Sequence, residues 1–198
     1  MADGPLVGLD ERLSRALVQP DRFSETLSDL GSAHIAVPVL AVAAVYSGRL
    51  SRLAGADRWW WPAAWATLLM VLVPALVVPV KELTDRPGTP AIAPTVPPGT
   101  GYFPSGHTAT AAVAYGAAAL LLLPWASSPL LRRVIVAVYA ALVLGVSYGL
   151  VRRGYHWPLD VVASWCLSAV LLTAYVAMVS RSSRRTSAGT PSSSSGPS

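Results

Sequence analysis

Trp59 to Val80 reads WWWPAAWATLLMVLVPALVVPV, and this stretch decides the fold. It carries no charge in 22 positions. At about 1.5 Å of rise per residue, a helix of that length crosses a hydrocarbon core of about 30 Å. A helix packed on a soluble core would show a polar face at helical spacing, and this one has none. Three consecutive tryptophans open it, as the aromatic belt of a membrane interface does. The run is therefore read as a membrane span.

Working outward, four more uncharged runs have comparable character: Ala33–Gly48, Thr108–Leu131, Val134–Val151 and Val161–Ser180. The first is the shortest and contains Pro38, which membrane helices tolerate. The composition agrees, with 53% hydrophobic and 13% charged residues among 198 and a mean hydropathy of +0.50. Five spans with short connections predict an all-α integral membrane bundle over residues 33–180. Residues 1–32 lack a continuous apolar core and carry six acids, so no cleavable signal is expected there. Within them, Leu9, Leu13 and Leu17 share one helical face and Phe23, Leu27 and Leu30 another, with Pro20 between. That pattern predicts two short amphipathic helices lying on the membrane or capping the bundle. Residues 181–198 hold eight serines and nothing to bury, and are expected to be a disordered tail. The lone Cys166 reads as a small packing residue inside the last run. The net charge of +5 does not indicate nucleic acid, because the basic residues stand in pairs at span ends rather than in a patch.

Nearly every ionisable group that could meet a substrate lies in three short stretches: KELTDRP (Lys81–Pro87), PSGH (Pro104–His107) and RRGYHWPLD (Arg152–Asp160). With five spans, all three fall at the end of the bundle that also holds the N-terminus. PSGH before a helical run offers backbone N–H groups, the Ser105 hydroxyl and a glycine, Gly106, that lets an anion approach closely. His107 beside it can protonate a leaving oxygen. The plainer alternative is that Ser105 only caps a helix. In the third stretch, Pro158 suits a first helical turn, and Asp160 stands four residues after His156. A carboxylate so placed accepts the Nδ1 proton and leaves Nε2 free to attack, or else it merely complements the helix dipole. Lys81 and Arg86 supply positive charge for phosphate oxygens, or are simply basic residues at headgroup level. His34, at the start of the first run, reads as an interfacial residue. Together the set is equipped for phosphate transfer without metal ligands.

The order of the three stretches resembles the type 2 phosphatidic acid phosphatase superfamily of membrane lipid phosphatases. Its motifs are a Lys followed by Arg-Pro, then PSGH, then Arg, five residues, His, three residues and Asp. The resemblance spans residues 33–180. It implies that His156 is the nucleophile, Asp160 its partner and His107 the general acid, while Lys81, Ser105 and Gly106 cradle the phosphate. It also implies a phosphohistidine intermediate, no cofactor and no metal. Two positions depart from the pattern. Gly88-Thr89 stands where the family has Arg-Pro, although Arg86 matches an additional arginine of many members. Leu150 stands where the third motif has its Arg. Arg152 and Arg153 follow, but two residues turn a helix by about 200°, so they reach the phosphate only if the helix has ended. The amphipathic segment would replace the first of the family's six spans.

The expected function is hydrolysis of a phosphate ester or pyrophosphate on a membrane lipid, of the phosphatidate, phosphatidylglycerol phosphate or polyprenyl diphosphate class. The alternative is a catalytically impaired relative that binds lipid phosphate without turnover, which the two displaced arginines would favour. A transporter ranks last, since the spans lack polar breaks near their middles. Basic residues number seven at the site's end and eight at the other. Discounting Lys81, Arg86, Arg152 and Arg153 leaves three against eight, which places the site outside the cytoplasm of a multi-pass protein of the cell membrane.

Overall fold

The computed structural model describes residues 5–91 and 101–187. In chain order the helices are α1 (Pro5–Leu17), α2 (Arg22–Asp29), α3 (Ala33–Leu53), α4 (Trp61–Thr84), α5 (Gly106–Leu122), α6 (Pro129–Arg152) and α7 (Pro158–Ser187), with a 3-10 turn at Leu123–Trp125. No strand occurs among the described residues. Five of these helices are long and apolar enough to cross a membrane: Ala33–Leu53, Trp61–Thr84, Gly106–Trp125, Pro129–Arg152 and Pro158–Arg181. The five expected spans are all present, with bounds shifted by a few residues and most at the end of the third. The uncharged run of the third span continues to Leu131, yet the span stops at Trp125. Ser128 caps the next helix by accepting the Leu131 N–H at 3.1 Å, with Pro129 at the first helical position.

α5 is the axis of the bundle. Two thirds of its span (67%) is buried, against 22–33% for the others, and it packs on α3, α4, α6 and α7. Its sequence, GHTATAAVAYGAAALLL, explains why: small side chains let four neighbours approach one backbone. The large aliphatic residues of the outer helices, such as Val42, Val71, Leu144 and Val170, point outward. In lipid that arrangement has no hydrophobic cost. Cys166 is also exposed on the outside of α7, so it is not the packing residue expected from sequence.

α1 and α2 close one end of the bundle as two separate short helices. Their polarity is inverted relative to a soluble helix pair: Asp10, Ser14, Ser24 and Ser28 are buried, while Leu9, Leu13, Leu17 and Phe23 are exposed. The apolar side of α1 therefore faces the surroundings, as an interfacial segment requires, whereas in α2 Leu27 packs beside Gly145 and Gly149 and Leu30 against the core. Asp21 caps α2 by accepting the Ser24 N–H at 2.7 Å, and the Ser24 hydroxyl returns the bond. That backbone bond, with the Arg152 guanidinium, holds the Asp21 carboxyl down at about 2. The far end of α2 is fixed by Tyr115, whose hydroxyl donates to the Leu30 carbonyl at 2.6 Å. α2 lies almost on the α6 backbone, because Gly149 has no side chain; a Cβ there would stand 2.6 Å from the Ser24 oxygen.

At the other end of the molecule, α7 runs on to Ser187, so residues 181–187 are helical and not part of a tail. The rest of the expected tail, 188–198, lies outside the described residues, as does the 92–100 part of the long connection.

Candidate active site

The three chemistry-bearing stretches meet where α4 ends and α5 and α7 begin. Ser105 is the N-cap of α5: fully buried, its hydroxyl accepts the Thr108 N–H at 3.3 Å. The PSGH turn is stapled to α7, for the Ser105 N–H donates to the Asp160 carbonyl at 3.2 Å. The Ser164 hydroxyl bridges the carbonyls of Ser105 and Asp160, 2.8 Å from each. Gly106 keeps its approach open, the nearest atom to a Cβ there being 4.0 Å away. His107 is exposed and within electrostatic reach of His156 and Lys81.

His156 is placed by the way α6 ends. Gly154 takes φ +70°, a left-handed conformation that glycine adopts without strain, and the Tyr155 N–H folds back to the Leu150 carbonyl at 2.9 Å. The chain then re-enters a helix at Pro158. Asp160, in the first turn of α7, is fully buried. Its Oδ2 lies 3.3 Å from His156 Nδ1 and accepts the Trp157 N–H at 3.1 Å. Its Oδ1 accepts Arg86 Nη1 at 2.6 Å. With Nδ1 turned to the carboxylate, Nε2 is the ring nitrogen that faces away from Asp160.

The structure divides the sequence-derived candidates. His156, Asp160, His107, Lys81, Ser105 and Gly106 are brought to one end of the bundle, Lys81 lying within electrostatic reach of both Asp160 and His107. Arg86 is there too, but as a bridge between two buried carboxylates, Asp160 and Asp10. Arg152 and Arg153 are turned elsewhere. α6 is still helical at Arg152, so the residues that follow Leu150 point away from the site, toward the N-terminal segment. Arg152 pairs with Asp21 at 2.9 Å, and Arg153 with Glu25 at 3.6 Å and the Tyr155 hydroxyl at 2.9 Å. At the motif departures, Leu150 is buried in the core, Gly88 packs against the Tyr102 ring, and Thr89 is buried with its hydroxyl donating to the Gly154 carbonyl. His34 is exposed and touches the Ser32 hydroxyl at 3.3 Å.

Two residues of the site escaped the sequence reading. The Tyr102 ring meets His156 edge-on at 5.9 Å, and Lys81 Nζ lies 5.8 Å from the same ring. Burial pushes its phenol above the ordinary range, so the ring stays neutral. Asp10 lies 76 positions before Arg86, and nothing local to either residue announces the pairing. The one available signal is that Asp10 and Ser14 form a polar pair one turn apart, opposite the leucines.

Lys81, Gly106 and His107 also line one end of a cavity of about 590 Å³ that runs down between α3, α4 and α5. Its other walls are mostly apolar, with Val37, Met70, Val71 and Val78 beside Thr67 and Thr110. Among the described residues, no group of three or more His, Cys, Asp or Glu side chains is placed to hold a metal ion.

No curated protein matches the chain. Among solved structures, the crystal structure of a transmembrane PAP2 type phosphatidylglycerolphosphate phosphatase from Bacillus subtilis is similar, with a TM-score of 0.73. The match covers 90% of this chain and 89% of that one at 22% identity, a level at which the likeness speaks for the fold. The family model of the PAP2 superfamily matches residues 19–184, which contain every sequence-derived candidate above. A bundle of five spans, with the PSGH turn stapled to the helix that carries the His156–Asp160 pair, thus belongs to the PAP2 superfamily.

Proposed function

We propose that this PAP2 lipid phosphatase hydrolyses a phosphate ester or pyrophosphate on a membrane lipid through a covalent phosphohistidine. The supporting observation is the position of the His156–Asp160 pair, which shares an end of the bundle with an apolar cavity whose mouth carries Lys81, Gly106 and His107. A lipid whose chain occupies the cavity brings its phosphate to those three residues. Lys81 and the free N–H groups at the start of α5 take the phosphoryl oxygens. His156 Nε2 attacks phosphorus, the P–O bond to the lipid breaks, and His107 passes a proton to the departing oxygen. Water then attacks the phosphorus, the phosphorus–nitrogen bond breaks, His107 takes the water's proton, and inorganic phosphate leaves. Asp160 holds the imidazole tautomer and balances the positive charge that the ring acquires on phosphorylation. Phosphatidate, phosphatidylglycerol phosphate and polyprenyl diphosphates share the required chemistry.

One observation favours a second reading, a binder without turnover. Arg86, Arg152 and Arg153 are all paired with carboxylates, and Leu150 supplies no charge. The two readings separate by transfer of radiolabel from phosphate-labelled lipids in the presence of chelator. Catalysis predicts acid-labile label on wild type, none on His156→Ala, slower labelling of His107→Ala and weak labelling of Asp160→Asn. Label that persists in His156→Ala sinks the nucleophile assignment. Binding of lipid phosphate without label or phosphate release establishes the second reading.

A further inference from the structure

We infer that Asp10, on the N-terminal amphipathic helix, is a positioning residue for the reaction, acting through Arg86 on the Asp160–His156 pair. The inference rests on the reading of that pair as catalytic, and it extends the working centre to a helix that lies outside the family match, which begins at residue 19.

The geometry is a continuous chain of charge-assisted bonds. Asp10 Oδ2 accepts Arg86 Nη2 at 2.5 Å, and Asp160 Oδ1 accepts Arg86 Nη1 at 2.6 Å. Asp160 Oδ2 then faces His156 Nδ1 at 3.3 Å. Both carboxylates are fully buried, and the guanidinium lies 5.5 Å over the Trp157 ring. Asp10 also holds backbone, since its Oδ1 accepts the Leu159 N–H at 3.0 Å and so caps the first turn of the helix that carries Asp160. One carboxylate thus fixes both the cation beside Asp160 and the backbone that bears Asp160.

The electrostatics give the arrangement a consequence for chemistry. A single guanidinium shared between two buried carboxylates leaves that trio one negative charge in excess beside the imidazole, with Lys81 the next cation within electrostatic reach of Asp160. That excess favours the cationic ring formed when His156 takes the phosphoryl group. Without Asp10, the whole Arg86 charge would bear on Asp160 and compete with the imidazole for it. Arg86 would also lose the contact that fixes one end of its fork. In this chain, where Gly88 and Leu150 replace two family arginines, Arg86 is therefore committed to the nucleophile rather than to the phosphate.

Asp10→Asn separates the two roles, since an amide oxygen can still accept the Leu159 N–H while the charge is gone. In full-length protein with phosphatidate in phosphatidylcholine vesicles, Asp10→Asn is expected to lower kcat on the order of a hundredfold, as misplaced reacting groups do, with KM within about twofold. Added to Arg86→Ala, the same substitution should cost little more, because coupled residues are not additive. A change in kcat of less than about threefold, or an equal loss with and without Arg86, overturns the inference. The side-chain 15N resonances of His156 give an arm independent of turnover. Asp10→Asn should move them in the wild-type background and leave them in place in the Arg86→Ala background. Wild type that releases no phosphate contradicts the proposed function alone, while unmoved His156 resonances contradict the role of Asp10 whether or not the enzyme turns over.

Discussion

Three arginines stand near the site, and their partners assign them different work. Arg86 bridges Asp10 and Asp160 and is continuous with the imidazole, whereas Arg152 and Arg153 tie the end of α6 to Asp21 and Glu25 of the N-terminal segment. Arg86→Ala should therefore slow phosphate release on the order of a hundredfold, the scale of a lost positioning contact in a catalytic centre. Arg152→Ala and Arg153→Ala should stay within about threefold, since these half-buried pairs hold the N-terminal segment and reach neither His156 nor Asp160. A hundredfold loss in either, with the protein still folded, would move that guanidinium onto the phosphate. At this scale the sequence was legible where chemistry is local. His156 and Asp160 are four residues apart, and Ser105, Gly106 and His107 are consecutive, so local spacing together with the family resemblance singled them out. Asp10 and Tyr102 were not legible because their partners are distant in sequence, and Arg152 was left open because the length of α6 could not be read to the residue.

α2 shows how an element can be held by what its neighbour lacks. Its backbone touches α6 at Gly149, where a Cβ would stand 2.6 Å from the Ser24 oxygen and 2.7 Å from the Ser28 nitrogen. These are backbone atoms and cannot rotate aside, so Gly149→Ala must displace α2. Overpacking of this kind costs about 1–3 kcal/mol. The thermal midpoint in detergent should fall by several degrees, and amide exchange should accelerate in α2 while the centre of α5 keeps its protection. Unchanged exchange in α2 would mean that Tyr115 and the Asp21 cap hold the helix without close packing. The periodicity of residues 9–30 disclosed both short helices, but not which side faces inward. Leucines at helical spacing look the same on a helix docked by its apolar side and on one docked, as α1 is, by Asp10 and Ser14. The choice depends on having lipid outside, which the five apolar runs supply only when the chain is considered together. The prominence of α5 was legible in principle, since its alanines, glycines and threonines differ from the valine- and leucine-rich outer spans.

For the whole molecule, the two ends are chemically distinct. One holds the site, the N-terminal helices and the α6–α7 turn. The other holds an aromatic cluster in which Arg52 lies 5.8 Å from the Trp59 ring and Arg58 5.9 Å from Trp61, with Trp61 also edge-on to Trp60 and Trp65. Arginine over tryptophan at a span end suits a headgroup layer, where the rings sit at the interface and the cations reach lipid phosphates. At the site's end, Lys81, Arg86, Arg152 and Arg153 are committed to the site or to the N-terminal segment, which leaves Arg12, Arg15 and Arg22 for the membrane surface. The opposite end has Arg49, Arg52, Arg58, Arg132, Arg133, Arg181, Arg184 and Arg185. Cytoplasmic loops carry the excess of basic residues, so the aromatic end should face the cytoplasm and the site should open on the other side. Single cysteines test this at two exposed positions, Ala91→Cys beside the site and Ala56→Cys between α3 and α4, in a Cys166→Ser background. An impermeant thiol reagent applied to intact cells should label Ala91→Cys at once and Ala56→Cys only after the membrane is opened. The reverse order would place the site inside, and His107 would then protonate lipid leaving groups in the cytoplasmic leaflet.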